Sequence, residues 1–188
     1  MKTIPWEVYE RRFSDAYVAG FFDGDGSLVA TLEKQSPKYS RTYRPRIKIN
    51  FTQHIRHREM MNDLQKYLGA GVVRVVTGHY QAEIVIVDRK DVDRILRRLL
   101  PHLVINKQQA TLALEILSRM GENSRTNRIS DPDYFKILEM IEEIRALNSN
   151  SGGKRKFLSY NPVTTSPQMK EGVSSSKGLA NMLAPISY

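Results

Sequence analysis

The sequence contains no cysteine. That excludes a disulfide framework, a thiolate metal site and a thiol nucleophile together. Histidine is sparse: His54, His57, His79 and His102 are all there are, and no two stand at the H-E-x-x-H spacing of a zinc protease. There is no G-x-S-x-G nucleophile elbow. No apolar run approaches the roughly 20 residues that a membrane-spanning helix needs, so no membrane partner is expected. The opening residues, MKTIPWEVYERRFSD, mix acids with bases and lack an apolar stretch. They look like neither a secretory signal nor a transit peptide, and the expected place of action is the compartment of synthesis.

What the sequence does have is positive charge: 29 Lys and Arg against 20 Asp and Glu, a formal net charge of +9 over 188 residues. Hydrophobic residues make up 40%, ordinary for a globular domain with a real core. A basic excess favours a polyanionic partner. Its distribution divides the chain. From residue 149 onward Ser, Gly, Pro, Asn and Thr dominate, and Lys154, Arg155, Lys156, Lys170 and Lys177 face Glu171 alone. This stretch has no regular apolar spacing, so 149–188 is expected to be a basic, irregular tail that either lies along nucleic acid or touches nothing. Lys154 and Arg155 are its candidate phosphate contacts. Residues 1–13 read as a lead-in, and 14–148 as the folded domain.

That domain is organised around Asp15 to Gly26, DAYVAGFFDGDG. Tyr17, Val18, Phe21 and Phe22 put apolar bulk on neighbouring turns of a helix. The small pair Ala19-Gly20 lets a second backbone approach closely. The helix then runs into Asp23-Gly24-Asp25-Gly26. The glycines account for the stop through a left-handed cap. They do not account for the acids, which the negative end of the helix dipole disfavours. A bound cation would account for them; a solvated Asp-Gly turn is the plainer alternative.

Downstream the period changes from helical to two. Leu28, Ala30 and Leu32 alternate with Val29, Thr31, Glu33 and Gln35 in a first strand. A polar loop with Lys38 and Arg41 follows. In a second strand Pro45, Ile47, Ile49 and Phe51 alternate with Arg44, Arg46, Lys48 and Asn50. Three cations in line on one face repel one another. Solvent can carry such a face, but a nucleic acid uses it better, since Arg and Lys read guanine and Asn reads adenine in the major groove. A helix is expected over 56–68. A second hairpin follows, turning at Thr77-Gly78-His79, with Val73, Val75, Ala82, Ile84 and Ile86 inward and Arg74, Gln81 and Glu83 outward. Further helices are expected over 91–100 and over 106–120, the latter opened by an Asn106–Gln109 capping box. A last helix, capped by Asp131 ahead of Pro132, runs to about 147 and buries Tyr134, Leu138, Ile141 and Leu147.

The stretch Val18-Ala19-Gly20-Phe21-Phe22-Asp23-Gly24-Asp25-Gly26 resembles the motif of the LAGLIDADG homing endonucleases, and no second copy is present. The resemblance implies an α+β fold of order α-β-β-α-β-β-α, with a curved antiparallel saddle and helices on one face. It implies a homodimer packed through Val18, Ala19, Gly20 and Phe21, whose helix ends bring one Asp25 from each subunit to divalent metal ions. Two carboxylates meeting at a dyad repel, and a cation relieves that. Gly24 would add a carbonyl ligand, and Asp23 would be structural. Gln53 corresponds to a glutamine that orients active-site water. The basic group expected after it falls on Arg56, His57 or Arg58. The family's lysine matches Asn106 without gaps, leaving Lys107 beside it as the candidate. Implied cofactors are Mg²⁺, with Mn²⁺ as a substitute and Ca²⁺ supporting binding without cutting. Double-stranded DNA is the implied partner, contacted by the outward residues of both hairpins and by Lys38 and Arg41. A chloroplast, a mitochondrion or the prokaryotic cytoplasm is the implied setting. An intron RNA maturase and a catalytically inactive DNA-binding protein are the competing readings.

Overall fold

The computed structural model describes residues 12–36, 38–39, 41–121 and 129–148. Ser14 opens the first helix, α1 (Asp15–Asp25), by accepting the Tyr17 amide on its hydroxyl at 3.2 Å, as a serine N-cap should. Two strands follow, β1 (Gly26–Lys34) and β2 (Tyr43–His54). A 3₁₀ turn over Ile55–His57 leads into α2 (Arg58–Leu68). Then come β3 (Val72–Val76), β4 (Gln81–Ile86) and α3 (Arg89–Leu99). A second 3₁₀ turn, Leu100–His102, precedes α4 (Lys107–Arg119) and α5 (Asp131–Leu147). The expected α-β-β-α-β-β-α order is present. Among the described residues no helix is long and apolar enough to cross a membrane.

The strands form one antiparallel sheet in the order β1-β2-β4-β3. Period two does its work throughout. Leu28, Ala30 and Leu32 of β1, Ile47, Ile49 and Phe51 of β2, and Ala82, Ile84 and Ile86 of β4 are all buried. The helices cover that face, with Phe22, Met61, Leu64, Ile95, Leu96 and Ile141 at its centre. Phe22 packs on Phe51 with ring centroids 5.2 Å apart. Burying such a ring contributes about 1.5–3 kcal/mol. The other face carries the alternate residues: Ser27 opposite Asn50, Val29 opposite Lys48, Thr31 opposite Arg46 and Glu33 opposite Arg44, with Arg74 opposite Glu83 on the outer hairpin.

The structure corrects the sequence reading at several ends. The helix expected from 56 begins at Arg58, because Ile55–His57 close a tighter turn in which His54 Nδ1 accepts the Arg56 amide. Asn106 stands at the N-cap of α4 but makes no side-chain cap bond, so there is no capping box. Its amide is drawn instead to α1, and Gln109 is buried and donates to Asn148. Ser130, not Asp131, caps α5 through the Asp133 amide. That helix buries Ile137, Met140 and Ile144 beside Tyr134 and Ile141, while Leu147 is exposed. Residues 1–11 and 149–188, including Lys154 and Arg155, lie outside the described residues.

The stop of α1 also differs from expectation. Gly26 is extended, at φ −97° and ψ 164°, and Gly24 is within the helix, so neither supplies a left-handed cap. Gly26 is required for space. A Cβ there would stand 2.3 Å from Phe22 Cδ2 and 2.5 Å from the Phe22 carbonyl oxygen. Overpacking against backbone costs about 1–3 kcal/mol. Gly26→Ala should therefore lower the melting temperature by roughly 2–12 °C, at about 2–4 °C per kcal/mol for a chain of this size. Calorimetric scans of the two proteins check this.

Candidate active site and polar sheet face

The end of α1 is clasped to the start of α4. The Phe22 carbonyl, one of the last in the helix, accepts the Gly26 amide and Asn106 Nδ2, the latter at 3.1 Å. In return the Asp23 carboxylate accepts three backbone N–H groups: Val104 at 2.8 Å, Ile105 at 3.2 Å and Asn106 at 2.8 Å. Amides entering a helix have no partner within it, so Asp23 serves as a cap donated from another element. Partial burial pushes its carboxyl up, but the Asn106, Val104 and Ile105 amides outweigh this and hold it below the usual carboxylate value. Asp23 is thereby spent on structure.

Two residues on, Asp25 is exposed. Gln53 Nε2, from the end of β2, donates to its Oδ2 at 3.3 Å. Gln53 Oε1 accepts the His54 amide at 2.8 Å, which sets the glutamine's orientation with nitrogen toward Asp25. Lys107 is the exposed first residue of α4, immediately after the amides that Asp23 holds. The clasp therefore brings the acid of α1 and the cation of α4 to one junction. Arg56, His57 and Arg58 are all exposed, and Arg56 Nε is directed to His57 Nε2 at 3.0 Å. Among the described residues no bond joins this trio to Asp25. Nor do three or more His, Cys, Asp or Glu side chains gather into a metal cluster there.

The small stripe of α1 is divided between two surroundings. Val18 and Ala19 are wholly inside the protomer's own core and have no surface left for a partner. Gly20 and Gly24 face outward with nothing within 4 Å of where a Cβ would stand, and Phe21 is half-buried, its ring 6.0 Å from that of Phe51. Sequence spacing could not divide these residues, since an apolar helix face serves a core or an interface equally.

On the sheet, Glu33 accepts from Arg44 and from Arg46, each at 3.0 Å, and so relieves the repulsion between them. Glu83 holds Arg74 at 2.7 Å. Gln35 is drawn to the Arg41 carbonyl and Arg41 to α5, where it pairs with Asp131 at 2.5 Å and lies over the Tyr134 ring at 4.6 Å. Lys38 lies over the neighbouring Tyr39 ring. Asn50, expected outward, is only 9% exposed, and its Oδ1 has no partner. The polar face thus contains Val29, Thr31, Glu33, Arg44, Arg46, Lys48, Arg74, Gln81 and Glu83, with Asn50 sunk into it.

A family model described as LAGLIDADG endonuclease matches residues 18–112, the whole span from the motif helix into α4. The chain belongs to the LAGLIDADG endonuclease family. It is 29% identical over 144 residues to DNA endonuclease I-CreI of Chlamydomonas reinhardtii, covering 73% of this chain and 80% of the relative. It is 30% identical over 146 residues to DNA endonuclease I-CvuI of Chlorella vulgaris, covering 78% and 85%. Its fold matches the crystal structure of the homing endonuclease I-CvuI in complex with its target in the presence of calcium. That match has a TM-score of 0.64 at 24% identity, over 79% of this chain and 87% of that one.

The clasp generates a test that separates the two acids. Asp23→Asn keeps the shape but loses the charged acceptor, and capping losses run to about 1–2 kcal/mol. The folded-state pKa of Asp23 is depressed. Its contribution is therefore complete above the ordinary carboxylate range and is lost as pH falls through the lower, folded value. The variant should melt below the parent protein at pH 7, by roughly 2–8 °C, and the gap should narrow in acid below about pH 4. Melting curves from pH 7 down to pH 3 measure both.

Proposed function

We propose that this LAGLIDADG protein is a site-specific homing endonuclease that hydrolyses both strands of a long, pseudo-palindromic DNA site as a homodimer with divalent metal ions. The observation that carries the reading is the divergence of the two motif acids. Asp23 is consumed by backbone amides, and Asp25 is left exposed at the negative end of a helix with one neutral donor. One carboxylate and a nearby carbonyl, Gly24, are hard oxygen donors that suit Mg²⁺. That ion keeps several waters and takes one or two carboxylates plus phosphate oxygens. Among the described residues no cluster of three or more His, Cys, Asp or Glu gathers at this site, and a two-fold copy would bring a second Asp25. Mn²⁺ would substitute, and Ca²⁺ would support binding without cutting.

When bound, the metal supplies an acidified water and neutralises charge on the scissile phosphate. The chain's own residues do the rest. Asp25 would hold the ion, and Gln53, already fixed by the His54 amide, would orient water beside it. Lys107, the exposed first residue of α4, would neutralise phosphate charge, with Arg56, His57 or Arg58 as a further cation. The exposed cations of β2 and β3 lie along the groove, and Glu33 and Glu83 keep them extended and in register. DNA binding is supported by the relative I-CvuI, which has been crystallised with target DNA. The dimer is supported by the outward-facing Gly20, by the exposed Tyr17 near the start of the same helix and by the exposed Val104 and Ile105 at its end. Both curated relatives come from algae that contain chloroplasts, which favours an organelle as the setting.

Asp25→Asn should abolish cutting, by more than about a hundredfold, while leaving duplex binding in Ca²⁺ within a few-fold of the parent protein. Single-turnover cleavage of a selected duplex and a parallel binding titration decide it; a variant that cuts at the parent rate removes Asp25 from the reaction. Gly20 is open in the protomer, so Gly20→Leu should fold and yet sediment as a monomer. A fully dimeric Gly20→Leu protein would overturn the proposed interface.

A further inference from the structure

The polar face of the sheet is not wholly polar. On the outer hairpin the register sets Val72 opposite Val85, Arg74 opposite Glu83 and Val76 opposite Gln81. The alternate residues of β4, Ala82, Ile84 and Ile86, fill the core, so Val72, Val76 and Val85 belong to the same face as Arg74. Val72 is 69% exposed there among the described residues. β-Branched residues favour strands, but an outward strand position in a basic protein is served as well by Thr or Lys. The same face carries Arg44, Arg46 and Lys48 further along β2, where it pairs with β1, a charge pattern complementary to phosphate and guanine.

We propose that Val72, Val76 and Val85 read the 5-methyl groups of thymine. The inference rests on the proposed function, in which this face enters the major groove. There the thymine methyl is the apolar feature each A·T pair presents, and aliphatic side chains are its natural contact. Same-face residues on a strand are about 6.7 Å apart and base pairs step by about 3.4 Å, so each such residue advances about two pairs. Val72, Arg74 and Val76 then meet alternate pairs in the order apolar, cationic, apolar. Half of the preferred site should carry thymine, on either strand, at two positions about four pairs apart. Uracil lacks this methyl, so the strip also favours DNA over RNA of the same sequence.

The test uses the full chain and a duplex enriched from a randomised library in Ca²⁺. Each thymidine of that duplex is replaced in turn by deoxyuridine, which keeps base pairing and removes only the methyl. Affinity should fall about fourfold at one or two positions under the hairpin, the equivalent of about 0.8 kcal/mol for one buried methyl, and hold elsewhere. Val72→Ala, at an exposed position that does not threaten folding, and Val85→Ala should bind the thymidine duplex more weakly and erase the difference between the two bases. Equal affinity for thymidine and deoxyuridine at every position would overturn the inference while leaving the endonuclease reading intact. If no duplex is enriched or cut, that reading falls and takes the inference with it.

Discussion

The junction between α1 and α4 is the constraint on which the rest depends. It is made by the Asp23 carboxylate oxygens and the Phe22 carbonyl as acceptors, and by the Val104, Ile105 and Asn106 backbone amides and Asn106 Nδ2 as donors. Each end of a helix leaves backbone groups without partners. Here one helix's spare acceptors meet the spare donors leading into another. The carboxylate is stabilised as the anion by those donors, and the entry to α4 is fixed without a cap of its own. Because Asp25 and Lys107 each lie within two residues of the junction, their separation is set by rigid elements rather than by a loop.

That economy explains why two acids sit at a helix end that should repel them. Asp23 is neutralised by dipoles within the protomer. Asp25 is not; among the described residues its donor is the Gln53 side-chain amide. A residual anion aligned with the negative end of a dipole is an unfavourable arrangement in isolation. A cation bound there would relieve it, and in the proposed dimer that cation would also offset the repulsion between two such carboxylates. The placement of Gly20 and Gly24 on the open side of α1, with Val18 and Ala19 inward, leaves a surface on which a second helix can lie close.

The sheet solves a different electrostatic problem. A row of cations on one strand would drive the strand apart unless anions intervene. Glu33 is that anion for Arg44 and Arg46 of the paired strand β2, and Glu83 likewise holds Arg74 of β3. Such half-exposed pairs contribute little to stability, about 0–1 kcal/mol each. Their value lies in holding guanidinium groups extended over the face.

The sequence by itself determined the strands, the buried sheet face and the motif. Alternation at period two is a local property, visible in Leu28 to Glu33 and in Arg44 to Phe51 without reference to anything distant. The DGDG stretch gave the site away because its acids contradict their local setting. Tertiary structure decided which polar group meets which. Asp23 finds its donors more than 80 positions along the chain, Arg41 finds Asp131 at a separation of 90, and Asn148 reaches the Leu28 carbonyl at 120. Asn106 and Gln109 have the spacing of a capping box, but the Asn106 backbone amide that Gln109 would accept is already held by Asp23, and Asn106 Nδ2 donates to the Phe22 carbonyl of α1. Val18 and Ala19 differ from Gly20 only in which way the helix is rolled against the sheet. A single turn of helix carries no record of that, and the roll is fixed only when Phe22 locks onto Phe51 and Asp23 onto α4.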